Sequence, residues 1–103
     1  MEFIPVLNDF FEIATNDKRL SVVHLGVYIA LFYCWNKNHF QNPVRIRRMQ
    51  VMRLAKINAK TTYHKCMREL QSAGYISYMP SYNPKGSEVY MLALRKHVLN
   101  KGR

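Results

Sequence analysis

Apolar residues recur along this chain first at helical and then at alternating intervals, and the change falls at Gly74. Ile4, Leu7, Phe10, Phe11 and Ala14 stand three and four residues apart, which predicts an amphipathic helix over 4–15 with its acids on the opposite face. Asn16-Asp17 breaks that helix. Ser21 is placed to cap the next one, in which Val22, Val23, Leu25, Val27, Tyr28, Ile29, Leu31, Phe32 and Trp35 leave almost no polar face. A helix apolar nearly all round belongs at the centre of a small domain. Asn36 to Pro43 is a polar connector, with Pro43 favouring extended backbone around it, and Val44-Arg45-Ile46 has the character of a short strand.

Met49, Met52, Leu54 and Ala55 support a helix over Arg47 to Ala55, and Lys56-Ile57-Asn58 forms a tight break with Asn58 as the cap of the next helix. Ala59, Tyr63, Cys66, Met67 and Leu70 fall at i, i+4, i+7, i+8 and i+11, one face of a helix over Ala59 to Ala73, and Gly74 sits where a left-handed cap is wanted. Tyr75 to Tyr82 and Val89 to Leu94 then have strand character and flank the turn residues Asn83-Pro84-Lys85-Gly86-Ser87, which predicts a β-hairpin. The basic tail 95–103 has little apolar content beyond Val98 and Leu99 and is expected to fray. With 103 residues, 49% of them apolar, the chain closes one core and is expected to be a single domain over 1–103: the helix 4–15, a core over 20–94 and the tail.

Charge adds a partner class. Between Lys18 and Arg68 there are eleven lysines and arginines and no acid, and the net charge of the chain is +10. Four of the six acids, Glu2, Asp9, Glu12 and Asp17, precede the first basic residue, so the positive field is segregated as well as broad. Polyanions are the expected partners, nucleic acid foremost, although charge alone would serve anionic lipid or an acidic protein equally. The longest apolar run, Val22 to Trp35, spans 14 residues, short of the ~20 that cross a bilayer, so no membrane association is expected. Met1-Glu2 lacks the basic start and cleavage site of a signal peptide, which points to the cytoplasm and to reduced thiols at Cys34 and Cys66. Those cysteines stand alone rather than at zinc-ligand spacing and are expected to fill the core. The four histidines are dispersed and no glycine-rich phosphate loop occurs, so neither a cofactor nor catalysis is expected.

Helix, short break, helix, glycine and a hairpin with a basic tip is the layout of a winged helix-turn-helix, an α+β and mostly helical fold, here with an extra N-terminal helix. An α-helix fits the major groove of B-DNA while the helix before it crosses the backbone. With the apolar face of 59–73 turned inward, Lys60, Thr61, Thr62, His64, Lys65 and Arg68 project outward, mixing cations with groups that hydrogen-bond base edges. Arg45, Arg47, Arg48 and Arg53 flank the preceding helix as phosphate contacts, although the pattern does not assign both Arg47 and Arg48. Lys56 and Asn58 join them from the break, and Lys85 at the hairpin tip reaches phosphate or the minor groove. Any one of these charges is ordinary surface solvation; the missing acids make the set informative. Tyr75, Tyr78, Tyr82 and Tyr90 fit the packed face of the hairpin better than a base-stacking platform.

The run LAKINAKTTYHKCMRELQSAGYISY, Leu54 to Tyr78, resembles the helix-turn-helix and first wing strand of bacterial winged-helix DNA-binding proteins, in which a leucine four residues before a glycine precedes the apolar wing strand. Leu70, Gly74 and Ile76 occupy those places, and the resemblance covers roughly residues 20 to 94. The chain is most similar to small members associated with mobile elements, which implies a regulator, an excision factor or a replication accessory that binds double-stranded DNA. The alternative is an assembly module that meets an acidic protein, its charge supplying steering. The N-terminal helix lies outside the shared core. Its apolar residues would either join two copies into a homodimer or cover the central helix of their own chain.

Overall fold

The structure, a computed structural model, describes residues 4–81 and 85–94. In chain order the elements are α1 (Ile4–Thr15), α2 (Val22–Lys37), β1 (Val44–Ile46), α3 (Arg48–Ala55), α4 (Lys60–Ser72), β2 (Ile76–Met79) and β3 (Ser87–Met91). Over the described residues they make an α+β fold of four helices and one three-stranded antiparallel sheet, ordered β1-β3-β2. The expected turn residues Asn83 and Pro84, Tyr82 at the end of the first strand, and the tail 95–103 lie outside the described residues. None of these helices is long and apolar enough to cross a membrane.

Each helix boundary has a local cause. Ser21 caps α2, and its amide donates to Nδ1 of His24 (2.9 Å), so a histidine fills the reciprocal place of a capping box. At the far end of α4 the Gly74 amide donates to the Gln71 carbonyl and the Tyr75 amide to that of Leu70, with Gly74 at φ +89°; these are the paired bonds of a Schellman motif. The same pair of bonds closes α3, from Lys56 to Arg53 and from Ile57 to Met52, but there a lysine holds the left-handed conformation at φ 62°. Arg47 caps α3 rather than beginning it.

The cap of α4 differs from expectation. Ala59, not Asn58, occupies the capping position, and no side-chain capping hydrogen bond is made there. The two Schellman bonds at Lys56 and Ile57 spend the break reversing the chain, so extended backbone at Ala59 opens the helix one residue later than the polar side chain at Asn58 suggested. Since Ala59 already has capping geometry, Ala59→Ser is expected to stabilise the fold by about 1 kcal/mol, read as a higher urea midpoint.

The sheet is larger than the predicted hairpin. β2 and β3 pair with Ile76 opposite Met91 and Tyr78 opposite Val89, and Val44-Arg45-Ile46 adds a third strand by pairing with Val89, Glu88 and Ser87. Ser87, expected in the turn, therefore begins β3, while Leu92 to Leu94 leave it. Asn42 extends the β1 edge with its side chain, donating to the Met91 carbonyl and accepting from the Met91 amide, both at 3.0 Å.

The core lies where α2, α3 and α4 meet the inner face of this sheet. Val27, Leu31, Val51, Tyr63, Met67 and Leu70 from the helices close on Ile46, Ile76 and Val89, all essentially without solvent contact. Cys34 and Cys66 are buried here, and burial pushes both thiols above their ordinary values. Phe10 anchors α1 by stacking on Tyr28, ring centroids 3.8 Å apart. Tyr75 is buried beside them, while Tyr78 and Tyr90 are half-buried.

One polar tie fixes the α1–α2 connection to the far end of α4. The Tyr75 hydroxyl donates to Asp17 (2.9 Å), whose carboxylate also accepts from Nε and Nη2 of Arg19, both at 2.8 Å. The Arg19 hydrogen bonds hold the Asp17 carboxyl well below its ordinary 3.8, at about 2. A carboxyl with a lowered folded-state pKa stabilises the fold above its unfolded value and loses that contribution as pH falls through the folded one. Urea midpoints should therefore drop between about pH 4 and 2, and Asp17→Asn should lower the midpoint at neutral pH and flatten that acid limb. An acid limb unchanged in the variant would remove Asp17 from the account.

Candidate nucleic-acid interface

Tyr63, Cys66, Met67 and Leu70 anchor α4 in the core, and this decides what its other face presents. At about 100° per residue, Thr61, Lys65, Arg68 and Ser72 lie opposite that anchor in one line along the helix. All four are exposed. Thr62 and His64 sit on the flanks, half-buried, with the His64 ring edge-on to Tyr63 at 5.1 Å. Lys60 is exposed in the first turn. Ser72 carries no charge and stands in the last turn, so charge does not single it out, although the i, i+4, i+7, i+11 spacing from Thr61 reaches it.

The single acid of α4 is turned aside. Glu69 Oε1 lies 2.7 Å from Nε2 of His24, a side chain almost wholly enclosed on α2. Because Nδ1 of that ring accepts from the Ser21 amide, the ring proton sits on Nε2 and is donated to Glu69. The capping of α2 and the rotation of α4 are thus linked through one imidazole. No spacing rule joins residues 45 apart, so only the folded chain brings them together.

The other candidate cations fall into three groups. Arg53, Lys56 and Asn58 are exposed at the end of α3 and in the break, next to the first turn of α4. Arg47 and Lys85 are exposed at the end of the sheet where the hairpin turns: an added Cβ on Gly86 would lie 3.5 Å from Arg47 Cγ. Arg45 and Arg48 are the least available. Arg45 stands opposite Glu88 across the β1–β3 pair and approaches its carboxylate at 3.5 Å, so part of its charge is answered within the sheet. Arg48 is half-buried, and its Nε is enclosed without a hydrogen-bond partner among the described residues. Of the two adjacent arginines, Arg47 is the one that faces solvent.

The arrangement is a cationic helix face preceded in the chain by the basic residues of the break, with a second exposed basic group, Arg47 and Lys85, at the hairpin end of the sheet. Such a surface offers donors to a phosphate backbone and, on the helix itself, hydroxyl, ammonium and guanidinium groups at spacings that meet base edges. Comparison with protein-family models, with curated proteins and with solved structures finds no match to this chain.

Proposed function

We propose that the protein is a winged-helix DNA-binding protein that inserts α4 into the major groove of a duplex, acting as a regulator or as an accessory factor of a mobile element. The observation that carries this reading is the face of α4: Thr61, Lys65, Arg68 and Ser72 point together into solvent while Glu69, the one acid of that helix, is held off the face by His24. In this reading α3 crosses the backbone, with Arg53 and Lys56 on phosphates, and β2–β3 is the wing, with Lys85 and Arg47 meeting the strand beside it. The uncapped first turn of α4 adds unshared amides at the positive end of a helix dipole, which favours a phosphate there.

Selection of bound fragments from random duplex DNA, followed by titration of salt, tests the proposal. A preferred sequence should emerge and survive excess competitor duplex. On that sequence Thr61→Ala, Lys65→Ala and Arg68→Ala should each cost about 1–3 kcal/mol and relax preference at their own base pairs. Arg47→Ala and Lys85→Ala should instead weaken all duplexes alike and shrink the salt dependence by about one counterion each. If no sequence is enriched and weak binding vanishes at physiological salt, the basic face is an assembly surface and not a reader of DNA.

A further inference from the structure

Glu69 stands on the flank of α4, about 40° around the helix from Lys65. Three and four residues to either side of it are Cys66, Ser72, Lys65 and Ala73, so Lys65 is the one cation that the helix itself offers to this carboxylate. On an isolated helix, opposite charges at that spacing pair. Here they do not. Among the described residues Glu69 makes its ion-pair contact with Nε2 of His24, at 2.7 Å, and none with Lys65. The Glu69 side chain is 43% exposed and that of His24 8%, so the carboxylate turns inward, away from Lys65, to an enclosed donor.

We propose that His24 is a positioning residue for DNA recognition: by taking Glu69 it leaves the Lys65 ammonium free for the duplex and keeps a carboxylate off the face that meets phosphate. This role rests on the reading of α4 as the helix that enters the groove. Histidine suits it because one neutral ring accepts at Nδ1 from the Ser21 amide and donates from Nε2 to Glu69, so both demands are met without burying a cation. A lysine or arginine at this place would have no acceptor for the Ser21 amide. The same bond fixes how far α4 is turned about its axis, and with it the direction in which Thr61, Lys65 and Arg68 point.

Without His24 the carboxylate weakens binding in two ways. A Lys65–Glu69 pair has to be broken before the ammonium meets a base or a phosphate, and an exposed pair of this kind is worth about twofold in an equilibrium. A carboxylate left beside the groove also repels the phosphates, which adds to the loss. Together they set the expected loss at about three- to tenfold, more than the pair alone and no more than a modest base contact.

Binding of full-chain variants to the duplex selected by the wild type tests this, with far-UV circular dichroism and urea midpoints confirming that each is folded. His24→Leu should weaken binding about three- to tenfold. Adding Glu69→Gln should restore it, although the cap of α2 is broken in both, and the same Glu69→Gln change in the wild type should do much less. Glu69→Asp withdraws the carboxylate by one methylene and leaves the cap intact; it should weaken binding in the same direction, and it carries the test if His24→Leu does not fold. Without DNA, the Lys65 ammonium resonance of isotope-labelled protein should shift in His24→Leu and return when Glu69→Gln is added. A wild type that selects no duplex overturns the reading of α4 and this role with it. Once a duplex is selected, equal losses for His24→Leu and its Glu69→Gln double variant mean that His24 serves only the cap, and they overturn this proposal alone. So does a Glu69→Asp variant that binds as the wild type does, or a Lys65 resonance indifferent to His24→Leu.

Discussion

Phe10→Ala is expected to destabilise the protein by about 3–5 kcal/mol, the cost of removing a buried aromatic ring whose cavity the core cannot close. The ring is fully buried, stacks face to face on Tyr28 with planes 7° apart and meets Tyr75 edge-on at 5.7 Å. Tyr28 and Tyr75 are themselves buried, and burial pushes both hydroxyls above the ordinary phenol range. The three rings connect α1, α2 and the start of β2, so the lost ring opens a void that three elements share. Against a total stability of about 5–15 kcal/mol for a domain of this kind, the loss leaves little margin. Phe11→Ala, one position along on a half-exposed side chain, should cost less than about 1 kcal/mol. Urea denaturation of both variants gives the comparison directly. Equal, small losses would mean that α1 does not belong to the core.

Gly86→Ala should be the most damaging change to the sheet, about 2–4 kcal/mol from backbone strain and overpacking together. Gly86 has φ +103°, a conformation that side chains with a Cβ rarely adopt, and an added Cβ would lie 2.3 Å from the Ile46 carbonyl oxygen and 3.1 Å from its carbon. Both obstructing atoms are backbone, so no rotamer change relieves the contact. Relief requires β1 to move away from β3, which breaks the Ile46–Ser87 pairing and releases Arg47 from the hairpin end of the sheet. Gly74→Ala provides the control. Gly74 also has positive φ, +89°, but an added Cβ there meets nothing within 4 Å, so the cost should be near 1 kcal/mol, the conformational term alone. Urea midpoints for the two variants, with amide hydrogen exchange at Val44 and Ile46, separate steric from conformational loss. Similar midpoints and unchanged exchange at β1 would show that the strand does not depend on the close approach.

The helices and their ends were readable where their causes are local. Repeats of three and four residues set the buried faces of α1 and α4, and a glycine after Ala73 announced the left-handed turn that its hydrogen bonds complete. Cys34 and Cys66 were legible as core residues because each falls on an apolar helical face. The local signal misled where two local demands compete. Asn58 is a good capping residue, but the chain reverses at Lys56 and reaches capping geometry only at Ala59. The outward orientation of Thr61, Lys65 and Arg68 followed from the same periodicity, because a helix anchored on one side must present the other.

What only the tertiary structure decided concerns pairs far apart in sequence. A three-residue strand has too few side chains to declare its neighbour, and the enlargement of the hairpin by β1 depends on pairing with β3 across 43 residues. Polar ties such as His24 to Glu69 and Asp17 to Tyr75 follow no spacing, because they are set by where folded elements cross. Neither of two adjacent arginines could be preferred until α3 began at Arg48 and drew it inward, leaving Arg47 in solvent. The sequence of α2 determined that it would be apolar on nearly every side. Which of those sides the protein's own core would cover was decided by the placement of α1 and α3 on its two flanks, since apolar contact is non-directional and any neighbour of suitable shape satisfies it.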